Sequence, residues 1–246
     1  MALTISRLKP PRRNPGLLLA ARAAALVVMG WFGADVFSAE MIRCPAVRDT
    51  SLSFHPQEVL LQQGSKDSMK IKYFEEVALV EFDISALKGR QISEVWLYMK
   101  AAGGHKFDFN QGTDLRWLSV ATVAANWDEQ KACANASGLR SDWGWPGAQA
   151  SDMSMGNAHT LRCDGLLQPA EGGWHKIRVD VGLIRALVAG ASHGLMIADG
   201  SGSYMVNCRI KSRDSKEGPF LEVAVSGEDK STPNPPSRLT VAAAPE

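Results

Sequence analysis

The sequence predicts an all-β fold, an antiparallel jelly-roll-like β-sandwich with one or two short helices. Three observations lead there. Apolar residues recur at every second position in separate stretches between Asp49 and Val225. Glycine-bearing turns at Gly64-Ser65, Gly89, Gly103-Gly104, Gly172-Gly173 and Gly200 to Gly202 punctuate those stretches. Only one segment is spaced like a helix. With both ends set aside, roughly 190 residues remain, which suits one sizeable core.

The chain opens "MALTISRLKPPRRNPGLLLAARAAALVVMGWFGADVFSAE". Basic residues (Arg7, Lys9, Arg12, Arg13) precede an apolar run from Ala23 to Ala34, and the small Ser38 and Ala39 follow. That plan predicts a secretory signal over residues 1–38, with an uncleaved anchor as the alternative; the run is short for a membrane span. Cleavage would remove five of 27 basic and one of 26 acidic residues, leaving a net charge of −3 before histidine. Nothing in that balance attracts nucleic acid. An extracellular or cell-surface location is expected, with no stable membrane span after cleavage.

Residues 39–226 form the predicted sandwich. "VALVEFDI" aligns Ala78, Val80, Phe82 and Ile84 on one face, with Glu81 and Asp83 opposite. "SEVWLYMK" sets Val95, Leu97 and Met99 against Trp96 and Tyr98. "WHKIRVDV" turns Ile177, Val179 and Val181 inward, and "PFLEVAV" aligns Leu221, Val223 and Val225. In "VGLIRALVAG", Val181, Ile184, Leu187 and Val188 fall at helical spacing and Gly190 supplies a stop. From Asp128 to Gly173 no periodicity persists, and a loop of that length is often functional. After Val225, "SGEDKSTPNPPS" has the composition of a linker in residues 227–246. "RLTVAAAPE" then opens a new strand pattern that resembles the first strand of a fibronectin type III module, which implies tethered downstream domains, with a plain disordered tail as the alternative.

Cys44, Cys133, Cys163 and Cys208 make an even set in a chain expected to be exported, which favours disulfides. Three connectivities are possible. The expected pairing is Cys133–Cys163, closing the long irregular segment, and Cys44–Cys208, joining the start of the sandwich to its end. No Cys/His spacing fits structural zinc. A structural calcium ion is the one cofactor considered. Asp49, Asp180 and Asp199 are weak candidate ligands, since no loop has calcium-loop spacing.

Four stretches together carry a resemblance. They are "VALVEFDISALKGRQISEVWLYMK", "VATVAANWDEQKAC", "GGWHKIRVDVGLIRALVAGASHGLMIADGSG" and "NCRIKSRDSKEGPFLEV". In that order the chain resembles the DNRLRE domain, also classed as a family-96 carbohydrate-binding module. Trp127-Asp128-Glu129 stands at the family's Trp-x-Glu turn and Ser212-Arg213-Asp214 at its closing Ser-Arg-Glu. The resemblance implies an exported sandwich attached to other modules, with alginate binding attributed to some members.

No nucleophile elbow, zinc-protease motif or phosphate loop is present, and the five histidines lack ligand spacing, so the chain reads as a non-enzyme. Sugar binding needs aromatic rings to stack on pyranoses and polar groups to fix hydroxyls. Trp117, Trp127, Trp143 and Trp145 fall within 29 residues. Trp143 and Trp145, in "SDWGWPG", and Trp127 are the candidate platforms; for Trp143 and Trp145 the alternative is a satellite core folded under the loop. Trp96, Trp117 and Trp174 lie in strand patterns and are expected in the core. Arg209, Lys211 and Arg213 alternate, so in an extended strand they form a cationic stripe suited to a carboxylate-bearing polysaccharide. The alternative for Arg213 is structural pairing with a carboxylate at the last strand. The expected function is therefore noncatalytic carbohydrate binding, with a structural or adhesive spacer as the alternative.

Overall fold

A computed structural model describes residues 39–104, 107, 115–143, 146–154 and 160–229. The signal or anchor expected over residues 1–38 and the module expected beyond 229 lie outside the described residues. The strands are β1 (Glu40–Ser53), β2 (Ser68–Ile71), β3 (Glu76–Phe82), β4 (Arg90–Lys100), β5 (Trp117–Thr122), β6 (Arg162–Leu166), β7 (Gln168–Pro169), β8 (Trp174–Arg178), β9 (Leu195–Asp199), β10 (Cys208–Lys211) and β11 (Phe220–Glu228). Two helices accompany them, α1 (Ala150–Ser154) and α2 (Val181–Val188).

Nine strands pair antiparallel in the order β6-β5-β9-β3-β1-β11-β4-β8-β7. β1 joins two layers. Its residues 40–45 pair with β11 and its residues 46–53 with β3, with a register shift between Ala46 and Arg48. The sheet thus folds over on itself, and inward-facing residues of both halves meet in one core: Val95, Leu97 and Met99 of β4 and Val223 of β11 against Val80 of β3, Ile197 of β9 and Val120 of β5. Full burial of each such side chain contributes about 1.5–3 kcal/mol. The predicted all-β antiparallel sandwich is what forms. β2 and β10, far apart in the chain, make a separate two-stranded antiparallel ladder, bridged to the end of β4 through Ala101 and Ile210.

The predicted helix is α2. Asp180 caps it by accepting the Gly182 amide at 2.7 Å, Leu183, Ile184 and Leu187 are buried, and Gly190 at φ +73° lets the chain turn away. β11 continues through Gly227 and Glu228, and Glu228 pairs with Arg90, so the sheet runs past the expected start of the linker. Two strands, β6 and β7, emerge from the segment that lacked periodicity. "RCDGL" offers alternating exposure but few apolar residues, and period two is hard to see without them.

β3 departs from the expected half-wet strand. Ala78, Val80 and Phe82 face the main core, while Val77 and Leu79 enter a second apolar cluster on the other side. Residues 123–143 and 146–150 fold over that outer surface and bring Trp127, Trp143 and Ala148 against Val77, Leu79 and Met196.

The expected disulfides do not form; none of the four cysteines is disulfide-bonded. Cys163 packs against the main core and accepts the Asp180 amide at 3.5 Å, whereas Cys133 is buried in the segment over the outer face. The second layer lies between those two environments. Cys44 faces the core from β1, opposite Leu221, and Cys208 lies on the β2–β10 ladder opposite Ile71. Burial pushes the Cys44 thiol up to about 11, with Asp83 adding to the effect. Among the described residues no helix is long and apolar enough to cross a membrane.

Candidate functional site

The expected tryptophan platform is sealed inside. Trp127 and Trp143 are each 0% exposed. Their indole N–H groups are spent on backbone: Trp127 Nε1 donates to the His193 carbonyl at 2.9 Å and Trp143 Nε1 to the Cys133 carbonyl at 3.0 Å. Neither ring offers a face to a sugar; the satellite-core alternative describes Trp143, and Trp127 lies in the same cluster. The physical reason is the bare outer surface of β3 and β9, whose apolar side chains need a cover. Trp145 lies outside the described residues.

The expected cationic stripe is also divided. Arg209 and Lys211 share one face of β10, but the strand ends at Lys211 and Arg213 sits in a 3-10 turn at Arg213–Ser215. Arg209 Nη1 lies 3.5 Å from the Ser68 hydroxyl. Lys211 is paired with Glu217, whose other carboxylate oxygen is 2.6 Å from Lys100 Nζ. Lys100 and then Lys211 pull the Glu217 carboxyl down to about 2. Arg213 makes a bidentate pair with Glu129, Nε and Nη2 both at 2.7 Å. This joins the Trp127-Asp128-Glu129 turn to the Ser212-Arg213-Asp214 turn, in the structural role weighed for Arg213.

The weak metal candidates lie on separate elements. Asp49 sits on β1 and accepts the Arg213 amide, Asp180 caps α2, and Asp199 accepts from Ser201 in the following turn. Among the described residues no group of three or more His, Cys, Asp or Glu side chains is placed to hold a metal ion.

Another surface does collect aromatic rings. On the outer side of β1, β11, β4 and β8, cross-strand register aligns Arg43 with Glu222, Trp96 and Arg178 in one row. The next row holds Pro45, Phe220, Tyr98 and Lys176, and Trp174 lies across from Lys100 at the end. These side chains face outward because Val95, Leu97 and Met99 alternate with them toward the core. Tyr98 and Phe220 stack at 4.6 Å with their planes 8° apart, and Trp174 meets Phe220 edge-on at 5.0 Å. Cations sit over the rings. The Arg43 guanidinium is 3.6 Å from the Phe220 centroid, Lys176 Nζ is 4.3 Å from Trp96, and Lys100 Nζ is 5.7 Å from Trp174.

One carboxylate is tied down within this face. The Tyr98 hydroxyl donates to Glu222 at 2.9 Å. Burial, then that bond, push the Tyr98 hydroxyl up to about 12, so it stays a neutral donor at physiological pH. Trp96, Tyr98, Trp174 and Lys176 are half-buried, held in place yet open on one side, and Arg43 is exposed. Pyranose rings and carboxylates are the chemistry that such a surface can meet, through stacking and charge-assisted hydrogen bonds.

Sequence reasoning assigned Trp96, Trp117 and Trp174 to the core, and all three lie elsewhere. Trp117 is 42% exposed at the start of β5, its indole lying against Gly200, where a Cβ would come within 2.7 Å of the ring. The available signal for the outer face was the phase of "SEVWLYMK": once Val95, Leu97 and Met99 are inward, Trp96 and Tyr98 must be outward. No family model and no curated protein matches the chain.

Proposed function

We propose that this chain is a noncatalytic carbohydrate-binding module of the DNRLRE type, taking an acidic polysaccharide such as alginate on the outer face of β1, β11, β4 and β8. The observation that carries this reading is the open row of Trp96, Tyr98 and Trp174 interleaved with Arg43, Lys176 and Lys100. Rings supply flat apolar surface for the sugar, and Arg43 and Lys176 have no carboxylate within ion-pair distance among the described residues. An incoming uronate would meet both cations over their rings with no carboxylate of the described residues to compete. The module is exported and carried at the cell surface or outside it, tethered to further domains.

A second reading is favoured by the same contacts. Each ring already touches a cation or another ring, so the face is equally suited to a spacer that presents neighbouring domains and binds no glycan. Affinity electrophoresis through alginate and a panel of neutral and acidic glycans separates the two. Retardation in an acidic glycan that is lost in Trp96→Ala and in Lys176→Ala supports the module. Unaltered mobility across the panel supports the spacer.

A further inference from the structure

Three carboxylates and one guanidinium meet where β1, the turn after Trp127 and the turn between β10 and β11 converge. Asp49 is 1% exposed, and its Oδ2 accepts the Arg213 amide at 2.6 Å. The Arg213 side chain turns instead to Glu129, giving both of its short hydrogen bonds to that carboxylate. Glu129 Oε1 also accepts the Asp49 amide at 2.8 Å. Asp49 is thus compensated by a backbone dipole, while the full positive charge goes to its neighbour. Asp214 adds a third negative charge nearby, 3.7 Å from Arg213 Nη2.

The other groups around Asp49 do not relieve it. Arg48, next on β1, is turned to Glu81 and to the Trp127 carbonyl, and the partner of Asp49 on β3 is Val80. Two glycines close the space. A Cβ on Gly64 would lie 1.8 Å from the Glu129 carbonyl oxygen, and one on Gly218 would lie 2.5 Å from Arg213 Cα. A buried carboxylate beside a second one that holds the guanidinium favours uptake of a proton.

We propose that Asp49, Glu129 and Arg213 form a proton-sensitive clasp that holds the turn between β10 and β11 against β1, closed while Asp49 carries a proton and loosened once it ionises. Burial lifts the Asp49 carboxyl to about 7; the Arg213 amide opposes that rise, and Glu129 and Asp214 add to it. In an opened clasp Asp49 meets water and returns to the ordinary carboxylate range. The closed form therefore binds the proton more tightly. Its advantage is complete below about pH 4 and is lost as pH rises through about 7. The turn runs directly into Glu217 and Phe220, so the clasp adjoins the aromatic face, but it stands whether or not that face binds a glycan.

Hydrogen exchange of the full chain, corrected for intrinsic rates, tests the clasp. In the wild type, protection of the Arg213, Asp214 and Ser215 amides should fall about tenfold or more from pH 5 to pH 8, relative to amides of β9. Asp49→Asn, which keeps the shape and cannot ionise, should hold that protection constant over the same range. A fall of equal size in both proteins, or a flat wild-type profile, overturns the proposal. Should Asp49→Asn fail to fold, the wild-type profile alone decides.

Discussion

The outer faces of the two layers are built from the same strand chemistry and meet opposite fates. Behind β3 and β9 the outward side chains are aliphatic: Val77, Leu79 and Met196. Residues 123–143 and 146–150 cover them and bury two indoles, Trp127 and Trp143, in doing so. On β4, β8 and β11 the outward side chains include Trp96, Tyr98, Trp174 and Lys176, half-buried and in contact with neighbouring rings and cations. A tryptophan count locates neither face correctly. What decides whether a ring is available is the strand surface beneath it: an aliphatic surface calls for a cover, whereas a Trp/Tyr/Lys/Arg surface can stand in water with its polar tips solvated.

The largest expected effect lies on the covered side. Trp143→Ala removes a fully buried indole and leaves the Cys133 carbonyl with the longer Ala136 amide bond alone, a loss of about 3–5 kcal/mol. For a domain of this size that lowers the melting temperature by roughly 10 °C or more, measurable by calorimetry. Gly218→Ala comes next. The new methyl group collides with the backbone of Arg213 and Ser212, not with a flexible side-chain end, so a loss of about 1–3 kcal/mol is expected in denaturant titration. On the open side, Trp96→Ala should cost about 1 kcal/mol or less, because only a half-buried ring and its contact with the half-buried Lys176 go. If Trp96→Ala and Trp143→Ala destabilise equally, the contrast between the two faces fails.

Thiol chemistry sharpens the comparison from the core. With none of the four cysteines disulfide-bonded, titration of the denatured, unreduced chain should count four thiols, while Cys44, buried and with its thiol pushed up, should resist alkylation in the folded state. A count of two or none would restore the bridges expected from sequence.

The fold was legible where alternation was clean. β4, β8 and β11 show their inward residues directly, and α2 shows its face and its glycine stop. β6 was not legible because its pairing partner, β5, supplies the order that "RCDGL" lacks. The pairing of Glu129 with Arg213 was half legible. Both turns were singled out, but 84 positions separate the residues and only folding brings them together. The aromatic face was hard to read because tryptophan is more often interior, whereas here the inward phase of Val95, Leu97 and Met99 sets Trp96 and Tyr98 outward. Cysteine parity misled because an even count says nothing about which layer each thiol occupies.

The central claim is that the open face of β1, β11, β4 and β8 holds an acidic glycan. Isothermal titration of sodium alginate into the wild type, Trp96→Ala and Trp143→Phe tests it most directly. The account predicts measurable affinity for the wild type, a loss of about tenfold or more in Trp96→Ala with its melting temperature kept, and near wild-type affinity in folded Trp143→Phe. Affinity that survives Trp96→Ala unchanged, or no heat of binding in the wild type, would contradict it.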